Sequence, residues 1–159
     1  MQTENLSEIL RQHPFIAGLS DEHLQVLVGC ASNVRFAEGT PLLREGEIAN
    51  KFFLIRTGRT GLETDVNARG KIRIQTVGPG DVLGWSWLVS PYRWHFNGVA
   101  VTEVRAIALD GECLRKKCEQ DHDFGYEMLS RLAHVMERRL EATRMQLLDL
   151  YTTSPGAHA

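Results

Sequence analysis

Long apolar runs are missing from this chain. Nothing in it approaches the ~18 consecutive apolar residues of a membrane-spanning helix. The N-terminal stretch MQTENLSEIL has no basic segment followed by an apolar one, so it lacks the pattern of a secretory signal peptide. From these absences we predict a cytoplasmic protein that does not associate with membranes.

A strong charge of one sign is missing too. The net charge is −2 and 24% of the residues are charged, which gives no general attraction for nucleic acid. Cysteine is scarce: the three cysteines are an odd number without the spacing of a disulfide scaffold, which favours a reducing compartment. Cys113, Cys118 and His122 are too few for a tetrahedral site, and on a helix the two thiols would lie on different faces, so we predict no metal.

What is present suits one folded domain. The chain has 159 residues, of which 43% are hydrophobic, and this is enough for one core. Apolar residues recur at helical spacing near both ends, and strand-like segments fill the middle. We predict a single domain over residues 1–150, with N-terminal helices (1–32), a β-roll (33–110) and C-terminal helices (112–150), and then a flexible tail (151–159).

The middle of the chain alternates short segments rich in β-branched and aromatic residues with glycine turns. In KIRIQTV, residues 71–77, isoleucine and threonine fall on one face and charged or polar residues on the other, which predicts a strand with one wet face. Strands at such short, regular spacing are typical of a small antiparallel barrel or jelly roll. The predicted fold class is therefore mainly β with flanking helices.

The C-terminal part predicts a short helix over Glu112–Cys118 and a long one from near Asp123. In the long helix, side chains recur at alternating spacings of four and three over about three heptads. This stripe is typical of a parallel dimer helix, and the alternative is a helix packed on its own barrel. The predicted dimer-interface residues are Leu129, Ala133, Met136, Leu140, Thr143, Leu147 and Leu150.

The most informative segment is GPGDVLGWSWLVSPYRWHFNGVA, residues 78–100. A turn with Gly78 and Gly80 leads into Gly84, a short apolar turn and a polar segment that returns to a strand. Backbone N–H groups at such turns form anion sites, so this segment has the layout of a phosphate-binding loop.

These residues carry a resemblance to a known family. HPFIAGLSDEHLQVL, FAEGTPLLREGEIANKFFLIRTGRTGL, VGPGDVLG and RLAHVMERRLEATRMQLLDL resemble, in order, the opening helix, first strands, phosphate cassette and dimer helix of cyclic-nucleotide-binding domains of the catabolite-activator (Crp/Fnr) type. The resemblance spans residues 6–150. It implies an eight-stranded β-roll with a long C-terminal dimerisation helix, and a pocket for cyclic AMP, cyclic GMP or another small ligand.

The cassette departs from the family pattern at the positions that bind the nucleotide. The family glutamate that binds the ribose is replaced by Trp85, the next small residue by Trp87, and the phosphate-binding arginine by Trp94 or His95. An indole donates a hydrogen bond but cannot accept one from a ribose hydroxyl, nor can it neutralise a phosphate. Arg93 could supply the phosphate contact if the loop is shorter than usual.

Two interpretations of the tryptophan cluster stay open. The indoles either fill a dead pocket or form an aromatic box for a planar or cationic ligand, with arginine, histidine and asparagine supplying polarity. Thr143 and Arg144 match the positions from which the family's dimer helix reaches the base. The candidate ligand-binding residues are Gly84, Trp85, Ser86, Trp87, Leu88, Arg93, Trp94, His95, Asn97, Thr143 and Arg144.

The predicted function is a bacterial, dimeric, ligand-binding regulatory module that signals to a partner protein through helix movement. No helix-turn-helix segment follows the long helix, so we expect a stand-alone domain without direct DNA binding. One alternative is a degenerate domain that binds no nucleotide and acts in dimerisation. A remote one is a cupin-like metalloenzyme, for which His95 is the single histidine in the strand region; without a catalytic constellation we predict no enzyme.

Overall fold

The computed structural model describes residues 2–66 and 70–153, with side chains for 6–66 and 70–152. Two helices precede the strands and two follow them, and all strand pairs are antiparallel. The elements are α1 (Gln2–Gln12), α2 (Asp21–Val28), β1 (Ala31–Phe36), β2 (Pro41–Leu43), β3 (Lys51–Thr57), β4 (Thr60–Asp65), β5 (Lys71–Val77), β6 (Val82–Leu83), β7 (Asn97–Ala100), β8 (Val104–Asp110), α3 (Gly111–Gln120) and α4 (His122–Thr153).

The strands form two four-stranded sheets, ordered β1-β8-β3-β6 and β2-β7-β4-β5. Apart from the β4–β5 hairpin, neighbouring strands in each sheet are far apart in sequence, as in a jelly roll. In the first sheet, Leu54 of β3 lies opposite Ile107 of β8. The predicted antiparallel β-roll with flanking helices and a long C-terminal helix is confirmed. The roll begins at Ala31, two residues before the predicted boundary.

Strand β3 divides the core in two. Successive side chains of a strand point to opposite faces, so Phe53 and Ile55 lie inside the roll while Phe52 and Leu54 face the helices. All four are buried, which is why KFFLIRT reads as a continuous apolar run rather than an alternating one.

Strand β5 differs from the expectation of one wet face. Ile72 is 45% exposed and Ile74 is 39% exposed, so the isoleucine face is not covered by the roll. The physical reason is position: β5 pairs only with β4 at the end of the second sheet in the described chain. Ile74 lies next to α4: its side chain lines a cavity together with Met136 and Leu140, and its carbonyl accepts from the Gln146 amide at 3.0 Å.

The two halves of α4 have different surroundings. In the first half, Phe124, Met128, Leu132 and Val135 are buried against the body of the domain. From residue 140 to 152 every side chain is exposed. The helix continues to Thr153, so residues 151–153 are helical instead of belonging to the predicted tail. Residues 154–159 of that tail lie outside the described residues. None of the described helices is both long and apolar enough to cross a membrane.

The cysteines depart from the expectation drawn from their number. Cys30, just before β1, and Cys113, in the first turn of α3, form a disulfide with a Cα–Cα distance of 5.9 Å. Their sequence separation of 83 residues hides this proximity, which arises only when β8 returns the chain to β1. Burial, more than the nearby acidic residues, raises the pKa of the remaining free thiol, Cys118, to about 11.

Candidate functional site

The loop 84–97, here called the cassette loop, leaves β6 at a glycine with a left-handed backbone. Gly84 has φ 88°, and a Cβ atom there would lie 2.8 Å from two carbons of the Trp94 ring. Glycine adopts this conformation without strain and leaves room for the Trp94 ring. A 3₁₀ turn follows over Trp85–Trp87, and the loop returns to β7 at Asn97.

In the glycine turn that leads into the loop, backbone N–H groups donate hydrogen bonds to other groups of the protein. The Gly80 N–H donates to the Ile55 carbonyl at 3.0 Å, and the Gly78 N–H donates to the Asp81 carboxylate at 2.8 Å. The Asp81 N–H in turn donates to the Gly78 carbonyl. The turn therefore offers fewer free N–H groups for a phosphate than its sequence suggests.

Two of the three tryptophans belong to the core. Trp87 is fully buried beside Phe52, with ring centroids 5.8 Å apart, and its indole nitrogen has no hydrogen-bond partner in the described residues. Trp94 is 6% exposed and packs among the apolar side chains inside the roll, over Gly84. The structure does not bring these two rings together with Trp85 into one aromatic box.

Trp85 lies instead at the edge of a cavity of about 400 Å³ between the roll, the cassette loop and α4. The ring is half-buried, and the guanidinium carbon of Arg139 lies 4.7 Å from its centroid, a cation–π contact. The remaining apolar lining consists of Leu62, Ile74, Phe96, Met136 and Leu140. The polar lining consists of Gln75, Arg139 and Thr143.

Arg139 is the one positive charge of this cavity. It donates through Nη2 to the Val82 carbonyl, while Nη1 is buried and has no partner in the described residues. Burial lowers the pKa of Arg139 to about 10, although the charge of Asp81 acts in the opposite direction. The side chain therefore remains a cation at neutral pH. It takes part in none of the ion pairs found in the described residues.

Sequence reasoning missed Arg139 although a signal was present. Residues four apart share a helix face, so the prediction of Thr143 as a ligand contact also pointed to position 139. Thr143 does line the cavity, where its hydroxyl accepts from the Gln75 amide at 3.1 Å. Arg144 lies outside it and pairs with Glu141 at 2.8 Å on the exposed surface.

The cassette loop is also attached to α3. Arg115 donates to the Trp87 carbonyl at 2.7 Å, and its guanidinium carbon lies 4.2 Å from the centre of the Tyr92 ring. Through Arg115 and Arg139 the loop contacts both C-terminal helices, so a change in the loop reaches both.

The comparison with known proteins agrees with this architecture. The sequence profile of the cyclic nucleotide-binding domain matches residues 33–121, more than half of the chain. This chain belongs to the cyclic nucleotide-binding domain family. The match begins in β1 and ends just after α3, so it includes the whole cassette loop.

Its relatives in this family include bacterial regulators. Over 152 residues, 95% of this chain, it is 25% identical to a CRP-like cAMP-activated global transcriptional regulator of Mycobacterium tuberculosis, and it spans 66% of that protein's length. It is 26% identical to the N-terminal domain of a Streptomyces coelicolor transcriptional regulator, with a TM-score of 0.65 over 84% of this chain and 94% of the other. The fold is also that of a cyclic nucleotide-binding domain from Methylobacillus flagellatus, at 21% identity, with a TM-score of 0.77 over 93% and 83% of the two chains.

The other loop residues predicted to contact a ligand lie away from the cavity of this family member. Arg93 is exposed and donates to the Gly46 carbonyl at 2.9 Å, on a different groove. His95 is exposed, and the Asn97 side chain accepts from the Glu45 N–H at 2.9 Å. Ser86 is buried, and Leu88 packs against the core below the helices. Of the loop's predicted ligand contacts, the structure brings only Trp85 to the cavity lining.

The stripe predicted for the dimer interface lies on the open side of α4. Leu129, Leu140, Leu147 and Leu150 are 52%, 71%, 54% and 67% exposed. Ala133 and Thr143 are exposed as well, and Met136 is half-buried at the cavity. The apolar residues that hold α4 to the body are a separate set, so the stripe remains available for another surface.

Metal ligands do not converge in the described part of the chain. No group of three or more histidine, cysteine, aspartate or glutamate side chains is placed there to hold a metal ion. His95 is exposed in the cassette loop, and Cys113 is consumed by the disulfide. The described residues thus offer nothing to support the cupin-like alternative.

Proposed function

We propose that this chain is a dimeric, ligand-binding regulatory module in which a small molecule occupies the cavity beside Trp85. The observation that carries the proposal is the contact between Trp85 of the cassette loop and Arg139 of α4 across that cavity. A molecule that enters there contacts the roll, the loop and the long helix together. Its binding energy can then favour one arrangement of the three over another.

The signal leaves the site through the two C-terminal helices. Arg139 lies on α4 itself, and Arg115 connects the loop to α3. A shift of the loop changes both contacts, and the change in α4 reaches the exposed stripe. A second copy of the chain covers this stripe in the proposed dimer, and a partner protein reads its altered geometry.

Tryptophan fluorescence tests ligand binding directly. Cyclic AMP and cyclic GMP are the first ligands to titrate, because the Mycobacterium tuberculosis relative is named as cAMP-activated. A wider set of metabolites and fragments follows. We expect a saturable change for at least one compound in the wild-type protein, and its loss in Trp85→Phe, because Trp87 and Trp94 are buried away from the cavity.

Two outcomes of that titration count against ligand binding at the cavity beside Trp85. One is the absence of any saturable change across the whole set. The other is an undiminished change in Trp85→Phe, which would place the binding site elsewhere. The first result would favour a degenerate domain that acts in dimerisation alone, in which Trp85 and Arg139 simply fill the position of the ligand.

Sedimentation equilibrium tests the dimer. Leu147→Glu puts a charge on the exposed stripe and should weaken self-association at least about tenfold, since a central apolar contact is replaced by a desolvated carboxylate. Met145→Glu is the matched control, because Met145 is 57% exposed but lies on the opposite side of α4 from the stripe. A wild-type protein that stays monomeric, or equal effects of the two substitutions, would contradict the proposed interface.

A further inference from the structure

The hydrogen-bonding capacity of the cavity limits what it can bind. Of its three polar side chains, two have their donors engaged already. The Gln75 amide donates to Thr143 Oγ1 and to the Arg139 carbonyl, at 3.1 and 3.4 Å. The Thr143 hydroxyl donates to the same carbonyl at 2.9 Å. Nη1 of Arg139 is the one buried donor of the lining without a partner in the described residues, and the Trp85 indole N–H is a further donor at the cavity edge.

Arg139 lacks a counter-charge at this point. None of the nine lining residues is acidic. Asp81 lines the neighbouring groove together with Arg139, and its charge acts on the guanidinium, but the two form no ion pair in the described residues and the Asp81 carboxylate accepts from the Gly78 N–H. A buried guanidinium with an unsatisfied N–H is costly unless an anion pairs with it. A ligand that brings one negative group into the cavity removes this cost.

The rest of the lining favours a flat, apolar ligand body. The rings of Trp85 and Phe96 supply aromatic surface, and Leu62, Ile74, Met136 and Leu140 surround them. Aromatic rings pair well with another ring in offset or edge-to-face contact. A volume of about 400 Å³ is within the range of small-molecule sites. A ribose and a phosphate would instead bring several polar groups to a site whose lining is mainly apolar.

We propose that this site takes a small aromatic monocarboxylate in preference to a cyclic nucleotide, with the ring against the aromatic lining and the carboxylate on Nη1 of Arg139. The inference rests on the function proposed above and specifies its ligand class. Nη1 is closed to water, so the carboxylate reaches it only when the Trp85 ring or α4 shifts. Occupancy is therefore coupled to a movement of the cassette loop or of α4.

Calorimetry on the full chain with three probes tests this. The probes are 2-naphthoate, its neutral counterpart 2-naphthamide, and cyclic AMP. A charge-assisted hydrogen bond contributes enough that naphthoate should bind at least about tenfold more tightly than naphthamide. The indole N–H resonance of Trp85, assigned through Trp85→Phe, should shift with naphthoate and report that the cavity is the binding site.

Variants at two arginines distinguish the effect of the Arg139 charge on binding from a general effect on the folded structure. Arg139→Met should bring the two naphthalene probes to within about twofold of each other, because the ionic contact that distinguishes acid from amide is lost. Naphthamide binding that persists in this variant shows an intact cavity. Arg139→Lys keeps the charge without the planar fork and should retain part of the preference. Arg93→Met is the matched control, since Arg93 is outside the cavity, and should leave both affinities unchanged.

Several results would overturn the ligand class. They are equal affinities of acid and amide for the wild type, a preference that survives in Arg139→Met, or cyclic AMP binding more tightly than naphthoate. If Arg139→Met does not fold, the wild-type comparison and Arg139→Lys still decide. Tight cyclic AMP binding with a shifted Trp85 resonance would refute the aromatic acid but keep the proposed function. No saturable binding by any probe or fragment would refute both.

Discussion

The cassette loop has an inner and an outer side, and tryptophan plays a different part on each. On the inner side, Trp87 and Trp94 are buried and complete the two core clusters. On the outer side, two residues before Trp87 in the chain, Trp85 is half-buried, stacked on Arg139 and open to a cavity. The comparison teaches that the inner side contributes to stability, while the outer side is free to serve the proposed ligand binding.

Removal of the innermost ring should have the largest effect and separates the two sides most clearly. Trp87→Ala deletes a fully buried indole and should lower the free energy of unfolding by about 3–5 kcal/mol. Trp85→Ala is the control and should cost less than about 1 kcal/mol, because its ring is half-exposed. Urea denaturation of both variants gives the two values, and equal losses would break the comparison.

Cleavage of the disulfide should act on the inner side alone. Cys113 is in the first turn of α3, next to Gly111, where a Cβ atom would lie 2.8 Å from Trp87. The bond with Cys30 closes a loop of 83 residues, so its loss in Cys30→Ala should cost about 2–4 kcal/mol. Thermal unfolding with and without reductant measures this in the wild type. Cys118→Ala, which removes the free thiol, should leave the response to reductant intact.

A methyl group at Gly84, where the cassette loop begins, should disturb the packing of the Trp94 ring over this position. Gly84→Ala forces a left-handed backbone on alanine and drives its Cβ to 2.8 Å from the Trp94 ring, at a cost of about 1–3 kcal/mol. Trp94→Leu in the same chain relieves the clash but not the backbone strain. A double-mutant cycle on thermal stability should therefore give a favourable coupling between the two substitutions, and strict additivity would mean that ring and glycine do not touch.

A fall in pH should give the smallest effect, through a histidine buried in the core beside β3. His13 is buried, its Nε2–H donates to the Ile55 carbonyl at 3.1 Å, and its Nδ1 accepts from the Phe15 N–H. Burial lowers the pKa of His13 despite the opposing hydrogen bonds and the charge of Asp81. The unfolded chain then binds the proton first as pH falls below about 6.5.

Stability should therefore be level above that pH and decline below it, by at most about 1.4 kcal/mol per pH unit. The decline continues until the folded-state pKa is reached. His13→Gln should flatten this part of the curve measured by urea denaturation at a series of pH values. A decline of the same slope in the variant would assign it to other groups.

Local patterns predicted most of the architecture but not the arrangement of the site. Glycine turns and β-branched segments marked the roll, and the heptad spacing marked the side of α4 that stays exposed. The three tryptophans that are close in sequence do not line one pocket. A 3₁₀ turn with three residues per turn directs Trp85 and Trp87 to different sides. The disulfide between Cys30 and Cys113 depended on the tertiary fold, which residue spacing does not reveal.

The hydrogen bond from Arg115 to the loop has a consequence for how this domain can diversify. Its acceptor is the Trp87 main-chain carbonyl, an atom that every amino acid possesses. Side chains on the cavity side of the loop can be exchanged while this attachment to α3 persists. Under the proposed function, evolution is then free to alter what enters the cavity without rebuilding the connection between the loop and α3.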